Sequence, residues 1–568
     1  MELKGSEIII KCLEKEGVDV IFGIPGGSVI PLFDKLYSSK VRVILTRHEQ
    51  GAAHMADGYA RASGKVGVCV ATSGPGATNL TTGIATAYMD SVPLVAITGQ
   101  VATHLVGNDA FQEADTTGIT RPITKQNYLV TDVRELQDTI AKAFLLARTG
   151  RPGPVLIDIP VNIQNETCKF DPHKKNIEIR GYKPTLKGHP KQIRNACDLM
   201  LQAKKPILYA GGGIIISDAS KELKKLAEKL NVPVTLTLMG IGAFPGDHKL
   251  FVGMPGMHGT QTANYAIQNS DLIIAVGVRF DDRVTGRLDK FAPHAKIIHI
   301  DIDPTSISKN VSAHIPIVGD CKVVLNQILE CLKNKKIEAN KTKDWLKKLD
   351  EIRKQKPLTY RKDSLLRPQF VVETLYNLTQ GKNVIITTEV GQNQMWAEQF
   401  FVYREPRTFL TSGGLGTMGY GFPAAIGAKV ARPDREVIDI AGDGSFQMNI
   451  QELATAKVNG IKVIVLILNN RYLGMVRQWQ ELFYGKRYSS VFLGDLKARE
   501  YWPDFKKVAE SYGLIGLRVE KKKDVEPAIK EALKAKETCV IDFRIHEEEN
   551  VSPMVPGGAS LDQILELA

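Results

Sequence analysis

Short β-branched and aliphatic runs recur along this chain, each followed by a Gly-rich turn and then a helix-like stretch. In the first third they are Val18–Phe22, Val41–Leu45, Val66–Ala71 and Leu94–Thr98. The middle has Ile207–Ala210, Val234–Leu238, Leu272–Val278 and Ile297–Ile302. The last third has Val384–Thr388, Val437–Ile440, Val463–Leu468 and Cys539–Phe543. None alternates strictly between apolar and polar residues, which suits strands buried on both faces. The prediction is an α/β fold of doubly wound parallel sheets covered by helices. Ligands of such sheets lie beyond the carboxyl ends of the strands, so strand-to-turn junctions are where chemistry belongs.

Two stretches read as linkers: Gln164–Pro190, which is polar, and Lys335–Arg367, dominated by Lys, Asp and Glu. Cutting there predicts three domains, 1–165, 190–335 and 365–568, each of ordinary size. The net charge of +12 is spread over lysines such as Lys224-Lys225 and Lys521 to Lys523 on expected helix faces. With no zinc-finger spacing and no Arg-rich arm, it reads as a solvated surface and not as a nucleic-acid site. Seven cysteines without C-x-x-C spacing indicate neither a zinc site nor a disulfide framework. No apolar run reaches the roughly 18 residues of a membrane span, and no signal or transit pattern opens the chain. A soluble, cytoplasmic protein is expected.

The run Val437–Ile440 leads into Gly442-Asp443-Gly444-Ser445, and the next strand ends at Asn469-Asn470. That interval suits one strand–helix–strand unit, which sets Asp443 beside Asn470 at neighbouring strand ends. A carboxylate and an amide oxygen suit a hard cation such as Mg²⁺ shared with phosphate. Gly442 and Gly444 permit close backbone approach, and Ser445 can donate to phosphate. Alone, Gly-Asp-Gly is a common turn and Asn-Asn a common helix entry; the pair at this spacing is the signal. In the first third, Thr46-Arg47-His48-Glu49-Gln50-Gly51 follows a strand and opens an Ala-rich helix. Glu49 reads either as an acid complementing the helix dipole or as an acid–base group whose apolar setting tunes it.

Together these segments resemble the thiamine-diphosphate enzymes, with a pyrimidine-binding unit first and a diphosphate-binding unit last. The resemblance implies Glu49 as the group acting on the cofactor's aminopyrimidine, and Asp443, Asn470 and the Tyr472 carbonyl as metal ligands. Thr72 to Asn79, with Pro75 and Asn79, is similar to the family's loop under the pyrimidine ring. Val390, Gly391, Gln392 and Asn393, then Gly444, Ser445, Leu473, Gly474 and Met475, carry over as diphosphate contacts. Gly416 and Met418 resemble the loop that wedges beneath the bent cofactor; the alternative for Met418 is core packing.

Further segments resemble the acetohydroxyacid synthases over nearly the whole chain. Gly277-Val278-Arg279-Phe280-Asp281-Asp282-Arg283-Val284 is similar to the FAD-binding segment of their anabolic members. The resemblance implies FAD contacts at Arg151, Gly211, Gly212, Thr237, Leu238 and Asp320. It implies them also at Met257, His258, Arg279, Asp281, Arg283, Val284 and Asp301. Gly211–Gly213 and Asp301 follow strands, as a dinucleotide site needs, although a full G-x-G-x-x-G is lacking. The substrate residues implied are Gly27, Phe111, Gln112, Arg283 and Trp479, with Trp479 otherwise an ordinary core aromatic. The reaction implied joins two small 2-oxoacids, pyruvate with pyruvate or 2-oxobutyrate, with loss of CO₂.

FAD then has no redox task. The partners implied are a second copy, whose Glu49 serves the other's Asp443 site, association of two dimers left open, and a separate regulatory subunit. Asn393 stands where many relatives have His, and is expected still to donate a hydrogen bond to diphosphate. Pro160-Val161-Asn162 replaces the family's Pro-Lys-Asp and removes a positive charge. Two alternatives stay open: a flavin-reducing pyruvate oxidase, and a non-catalytic nucleotide-binding relative.

Overall fold

A computed structural model describes residues 1–174, 177–338, 340–495 and 502–566. Every run named above forms a strand, and the strands assemble into three parallel sheets beside a small antiparallel ribbon. The first sheet runs, edge to edge, Arg42–Leu45, Val20–Gly23, Gly67–Ala71, Leu94–Gln100, Pro154–Pro160 and Gln126–Leu129. The middle sheet runs Val234–Leu236, Pro206–Ala210, Leu272–Val276, Lys296–Asp301 and Ile315–Val318. The third runs Phe409–Leu410, Val384–Thr388, Glu436–Gly442, Ile464–Asn469, Cys539–Arg544 and Ile515–Val519. The central strands are buried along their length apart from the ends of Glu436–Gly442, Lys296–Asp301 and Cys539–Arg544, as their unbroken aliphatic character requires.

Several strands escape the pattern for identifiable reasons. Pro154–Pro160 is wholly buried yet has proline at both ends, which reads as loop. Gln126–Leu129 and Ile515–Val519 are sheet edges and are only partly covered. The two stretches expected as linkers also contain structure. Thr167–Lys169 pairs antiparallel with Glu2–Lys4. Lys343–Gln355 is a helix whose Trp345 and Leu349, one turn apart, are buried against the middle domain. Trp345 Nε1 donates to the Pro206 carbonyl at 3.1 Å. Charge density hid a narrow apolar stripe, Trp345–Leu349–Ile352, that marks an amphipathic helix.

Counted in chain order within each sheet, the first and third sheets share one strand order, second–first–third–fourth–sixth–fifth. The helices after their second strands, Glu49–Ser63 and Gly421–Ala431, pack on each other. Their contact is made by backbone. A Cβ on Gly58 would lie 2.1 Å from the Ala424 carbonyl oxygen, and one on Gly427 would lie 1.9 Å from that of Met55. Buried alanines fill the flanks (Ala52, Ala56 and Ala60 against Ala425 and Ala428). At one end Arg61 bridges Asp57 (2.6 Å) and Asp90 (2.9 Å), and the Tyr420 hydroxyl donates to Asp57 at 2.7 Å. All seven cysteines are free, and no described helix is long and apolar enough to cross a membrane.

Replacing Gly58 with Ala should lower the denaturant midpoint of the protein. The roughly 1 kcal/mol that Ala ordinarily gains over Gly within a helix is outweighed by overpacking of about 1–3 kcal/mol or more. A midpoint above the parent's would show that the two helices separate freely.

Candidate active site

Strands Glu436–Gly442 and Ile464–Asn469 are neighbours, with Gly442 opposite Leu468. Asp443 and Asn470 therefore leave adjacent strand ends side by side, both buried. Asn470 Oδ1 accepts the Tyr472 N–H at 3.0 Å, and its Nδ2 donates to Gln392 Oε1 at 3.1 Å. Between them Arg471 is left-handed, with φ 64°, an uncommon state outside glycine. It is held by the Arg471 N–H on Asn469 Oδ1 at 3.2 Å and by its guanidinium 3.9 Å from the Trp502 ring centroid. Burial pushes the Asp443 carboxyl up to about 7, against backbone N–H donors that favour the ionised form. A bound cation would restore the ionised form, and one carboxylate, one amide oxygen and a backbone carbonyl make an oxygen set suited to Mg²⁺.

Three helices begin at this corner: Gln392–Phe400, Asp443–Phe446 and Gly474–Phe483. Their first residues, with Val390, Gly391, Gly444, Ser445 and Leu473, line one small cavity that also receives Met418. Three sets of unpaired N–H groups and three positive dipole ends make it an anion site. Gly391, at φ 145°, sits in a region that only glycine adopts readily. Gly474 is required by proximity, because a Cβ there would lie 2.1 Å from Gln392 Oε1. Asn393 corrects the sequence expectation. Its Nδ2 donates inward, to the carbonyls of Glu389 (3.0 Å) and Ile440 (2.8 Å), so neither proton is left for a phosphate. Asn393 therefore fastens the cradle, and backbone N–H groups are left to face the anion.

Val390, Met475 and Val476 line this small cavity and also a second one of about 700 Å³. Arg151, Gly212, Thr237, Leu238, Met257 and His258 lie on the larger wall, as do Arg279, Asp281, Arg283, Val284, Asp301 and Asp320. Gly416 and Trp479 lie on the same wall. The volume is that of a cofactor site. Tyr209 and His258 both lie on this wall, with the Tyr209 hydroxyl and His258 Nδ1 turned out of contact with water. Burial lowers His258 to about 4, keeping the imidazole neutral, and raises Asp301 to about 6. The size of the cavity and its mix of apolar and charged walls suit a large cofactor.

Gly211 is the exception among these residues. Its N–H bonds the Val276 carbonyl at 3.0 Å, and a Cβ would meet the Gly277 oxygen at 2.4 Å. It serves the packing of two strand ends, and Gly213 takes its place on the wall. Arg283 makes a loose ion pair with Asp282 at 3.9 Å, and its side chain is 62% exposed. Arg279 is paired with Asp281.

Glu49 is the first residue of its helix and accepts the Asn79 side-chain N–H at 2.9 Å. Gly76 lies alongside, since a Cβ there would be 3.4 Å from Glu49 Oε1. Ser28, next to Gly27, bonds Thr72 at 2.9 Å, and Gln112, at φ 60°, packs on Gly74 just before Pro75. Gly27, Glu49, Pro75, Asn79 and Gln112 thus gather at the strand ends of the first sheet, beside a Phe111 that is 89% exposed. None of them lines either cavity. At the changed Pro-Val-Asn segment, Asn162 Oδ1 accepts the Thr103 N–H at 2.9 Å and Nδ2 donates to Glu166 at 2.8 Å.

Sequence patterns missed two buried acids that hold the Met418 loop. Asp90 accepts the N–H groups of Gly413 (3.2 Å) and Gly414 (2.7 Å). Glu389 accepts those of Gly419 (2.7 Å) and Phe422 (3.2 Å). Their partners are backbone groups far along the chain, so no local pattern marks them.

Residues 3–119 match the N-terminal binding domain of the thiamine pyrophosphate enzymes, 193–328 their central domain, and 389–543 their C-terminal binding domain. A probable acetolactate synthase large subunit of Methanocaldococcus jannaschii is 52% identical over 572 residues, covering 99% of this chain and 95% of that protein. The chain belongs to the acetolactate synthase family of thiamine pyrophosphate enzymes. The large subunit of Corynebacterium glutamicum is 52% identical over 566 residues (99% and 90% covered), and that of Haemophilus influenzae 48% over 570 (99% and 98%). Thiamine pyrophosphate, or diphosphate, is accordingly the cofactor of this synthase.

Because both Asn393 protons bind buried carbonyls, Asn393→Asp sets a carboxylate against two acceptors. Leaving such groups unpaired costs about 1–3 kcal/mol each. The variant of the synthase should melt lower without cofactor and bind thiamine diphosphate more weakly. Parental values in both would return Asn393 to a role facing the phosphate.

Proposed function

We propose that the synthase decarboxylates pyruvate and joins the two-carbon unit to a second 2-oxoacid. The products are 2-acetolactate from pyruvate and 2-aceto-2-hydroxybutyrate from 2-oxobutyrate, precursors in branched-chain amino-acid biosynthesis. One observation carries this reading: the Asp443–Asn470 corner with its three helix N-termini shares Val390, Met475 and Val476 as a wall with the cavity bearing Trp479 and Arg283. Bound thiamine diphosphate supplies an electron sink for the loss of CO₂.

Asp443, Asn470 and the Tyr472 carbonyl would hold Mg²⁺ against the diphosphate. Glu49 keeps Oε2 on Asn79, which leaves Oε1 to hold the proton exchanged with the pyrimidine ring. Arg283 offers a bidentate fork to the acceptor carboxylate. Trp479, braced edge-on by Phe483 at 5.6 Å, gives the acceptor's alkyl group an apolar wall. FAD would occupy the larger cavity without entering the net reaction.

The separation of Glu49, Gln112 and the exposed Phe111 from both cavities supports a homodimer. In it the first domain of one copy completes the site on the third domain of the other. The relatives named above are large subunits, which supports a separate regulatory small subunit. The same reading makes this a cytoplasmic enzyme.

Incubation with pyruvate, thiamine diphosphate, Mg²⁺ and FAD, with no electron acceptor, should yield acetolactate and CO₂. Acetate formed only when an acceptor is added would establish a pyruvate oxidase instead. With Asp443→Ala, both product and cofactor binding should disappear.

A methylene in an apolar pocket is worth about 1–3 kcal/mol, or roughly 10–200-fold. Trp479→Leu should therefore erode preference for 2-oxobutyrate in competition assays while sparing decarboxylation of the first pyruvate. An unchanged product ratio would remove Trp479 from the acceptor pocket.

A further inference from the structure

Glu452 is wholly buried at the start of the helix Glu452–Val458, in the third domain. Its carboxylate turns toward the first domain. Oε1 accepts the N–H groups of Arg47 (3.1 Å) and His48 (3.0 Å). Oε2 accepts the Arg47 N–H (3.2 Å) and the Thr455 hydroxyl (2.6 Å). Arg47 and His48 are the two residues directly before Glu49, and His48 is the N-cap of the helix that Glu49 opens. Bonds from backbone N–H groups to a carboxylate are charge-assisted and short-ranged, and a negative group at a helix N-terminus is further favoured by the dipole. Room for the carboxylate comes from Gly51, where a Cβ would lie 2.5 Å from Glu452 Oε1.

The repeated topology shows what Glu452 replaces. In the third sheet, Glu389 directly follows the first strand and binds the N–H groups that lead into the helix Gly421–Ala431. In the first sheet the residue directly after the first strand is Ile24, which has no carboxylate to offer. The N-terminal turn of the matching helix, the one bearing Glu49, is instead held from another domain. Helical turns at Asp443–Phe446 and Gln447–Asn449 join Glu452 to the strand end that carries Asp443. Burial raises the Glu452 carboxyl to about 7, and the N–H donors of Arg47 and His48 draw it back toward the ionised form.

We infer that Glu452 is a positioning residue for Glu49, a strut from the diphosphate-binding domain that sets where the base stands against the pyrimidine ring. The inference rests on the reading of Glu49 as that base. A displacement of about 1 Å at a reacting group costs on the order of 10²-fold in rate. The test compares Glu452→Gln, Gly51→Ala and Glu49→Gln with the parent full-length protein. Gly51→Ala matters because it crowds the carboxylate aside while keeping its charge and adding a good helix former.

Three quantities are read: the thiamine diphosphate dissociation constant, C2 hydrogen exchange of the bound cofactor, and amide exchange of the 45–52 segment without cofactor. Glu452→Gln and Gly51→Ala should each slow C2 exchange about 10²-fold and speed amide exchange at Arg47 and His48, with the dissociation constant within about threefold of parent. Glu49→Gln should slow C2 exchange by about 10²–10⁴-fold and leave the amides of Arg47 and His48 as in the parent. Parental C2 exchange in Gly51→Ala, with the Glu49→Gln effect present, overturns the strut and spares the base. Parental C2 exchange in Glu49→Gln overturns the base, and the strut with it. Should Glu452→Gln fail to fold, Gly51→Ala decides alone.

Discussion

Two helices that touch through their backbones determine how the rest of this molecule is arranged. Gly58 and Gly427 leave no room for even one carbon between Glu49–Ser63 and Gly421–Ala431. At that separation the first and third sheets, which share one strand order, are locked as a pair. Everything that reaches across the joint depends on it: Asp90 on the Gly413–Gly414 turn, the Thr86 and Thr417 hydroxyls 2.7 Å apart, and Glu452 on Arg47 and His48. Bonds of this length tolerate shifts of only a few tenths of an ångström.

The joint also explains why so many acids are buried around the site. Asp57, Glu389, Asp439, Asp443 and Glu452 all lie out of water, where an ionised carboxylate is costly unless it is hydrogen-bonded or neutralised. Glu389 and Glu452 each receive backbone N–H groups, and Asp57 shares Arg61 with Asp90. Burial, and then the neighbouring Glu389, raise Asp439 well above the carboxylate range. Burial raises Asp443 as well, against its own set of backbone N–H donors.

Much of this was legible in the chain before any coordinates. The aliphatic runs became strands because a doubly covered strand tolerates little else, and Asp443 and Asn470 met because one strand–helix–strand unit spans the interval between them. Other features were opaque. Pro154 and Pro160 disguised a central strand, and the lysines of Lys343–Gln355 disguised a packed helix. Asn393 stood at the right place with the wrong orientation, since only folding reveals two carbonyls already waiting for its amide. Gly211 likewise belongs to strand packing because Gly277 closes on it from a segment 66 residues away in sequence.

The sequence by itself determined the parallel α/β sheets, the thiamine-enzyme resemblance and the pairing of a carboxylate with an amide at neighbouring strand ends. These follow from local periodicity and short spacing, which act over tens of residues. Tertiary structure alone decided which acid supports which loop, which glycines are needed, and which donors remain for a ligand. Such facts depend on groups hundreds of residues apart, like Arg47 and Glu452, brought within hydrogen-bonding distance by a joint that only two glycines at facing positions allow.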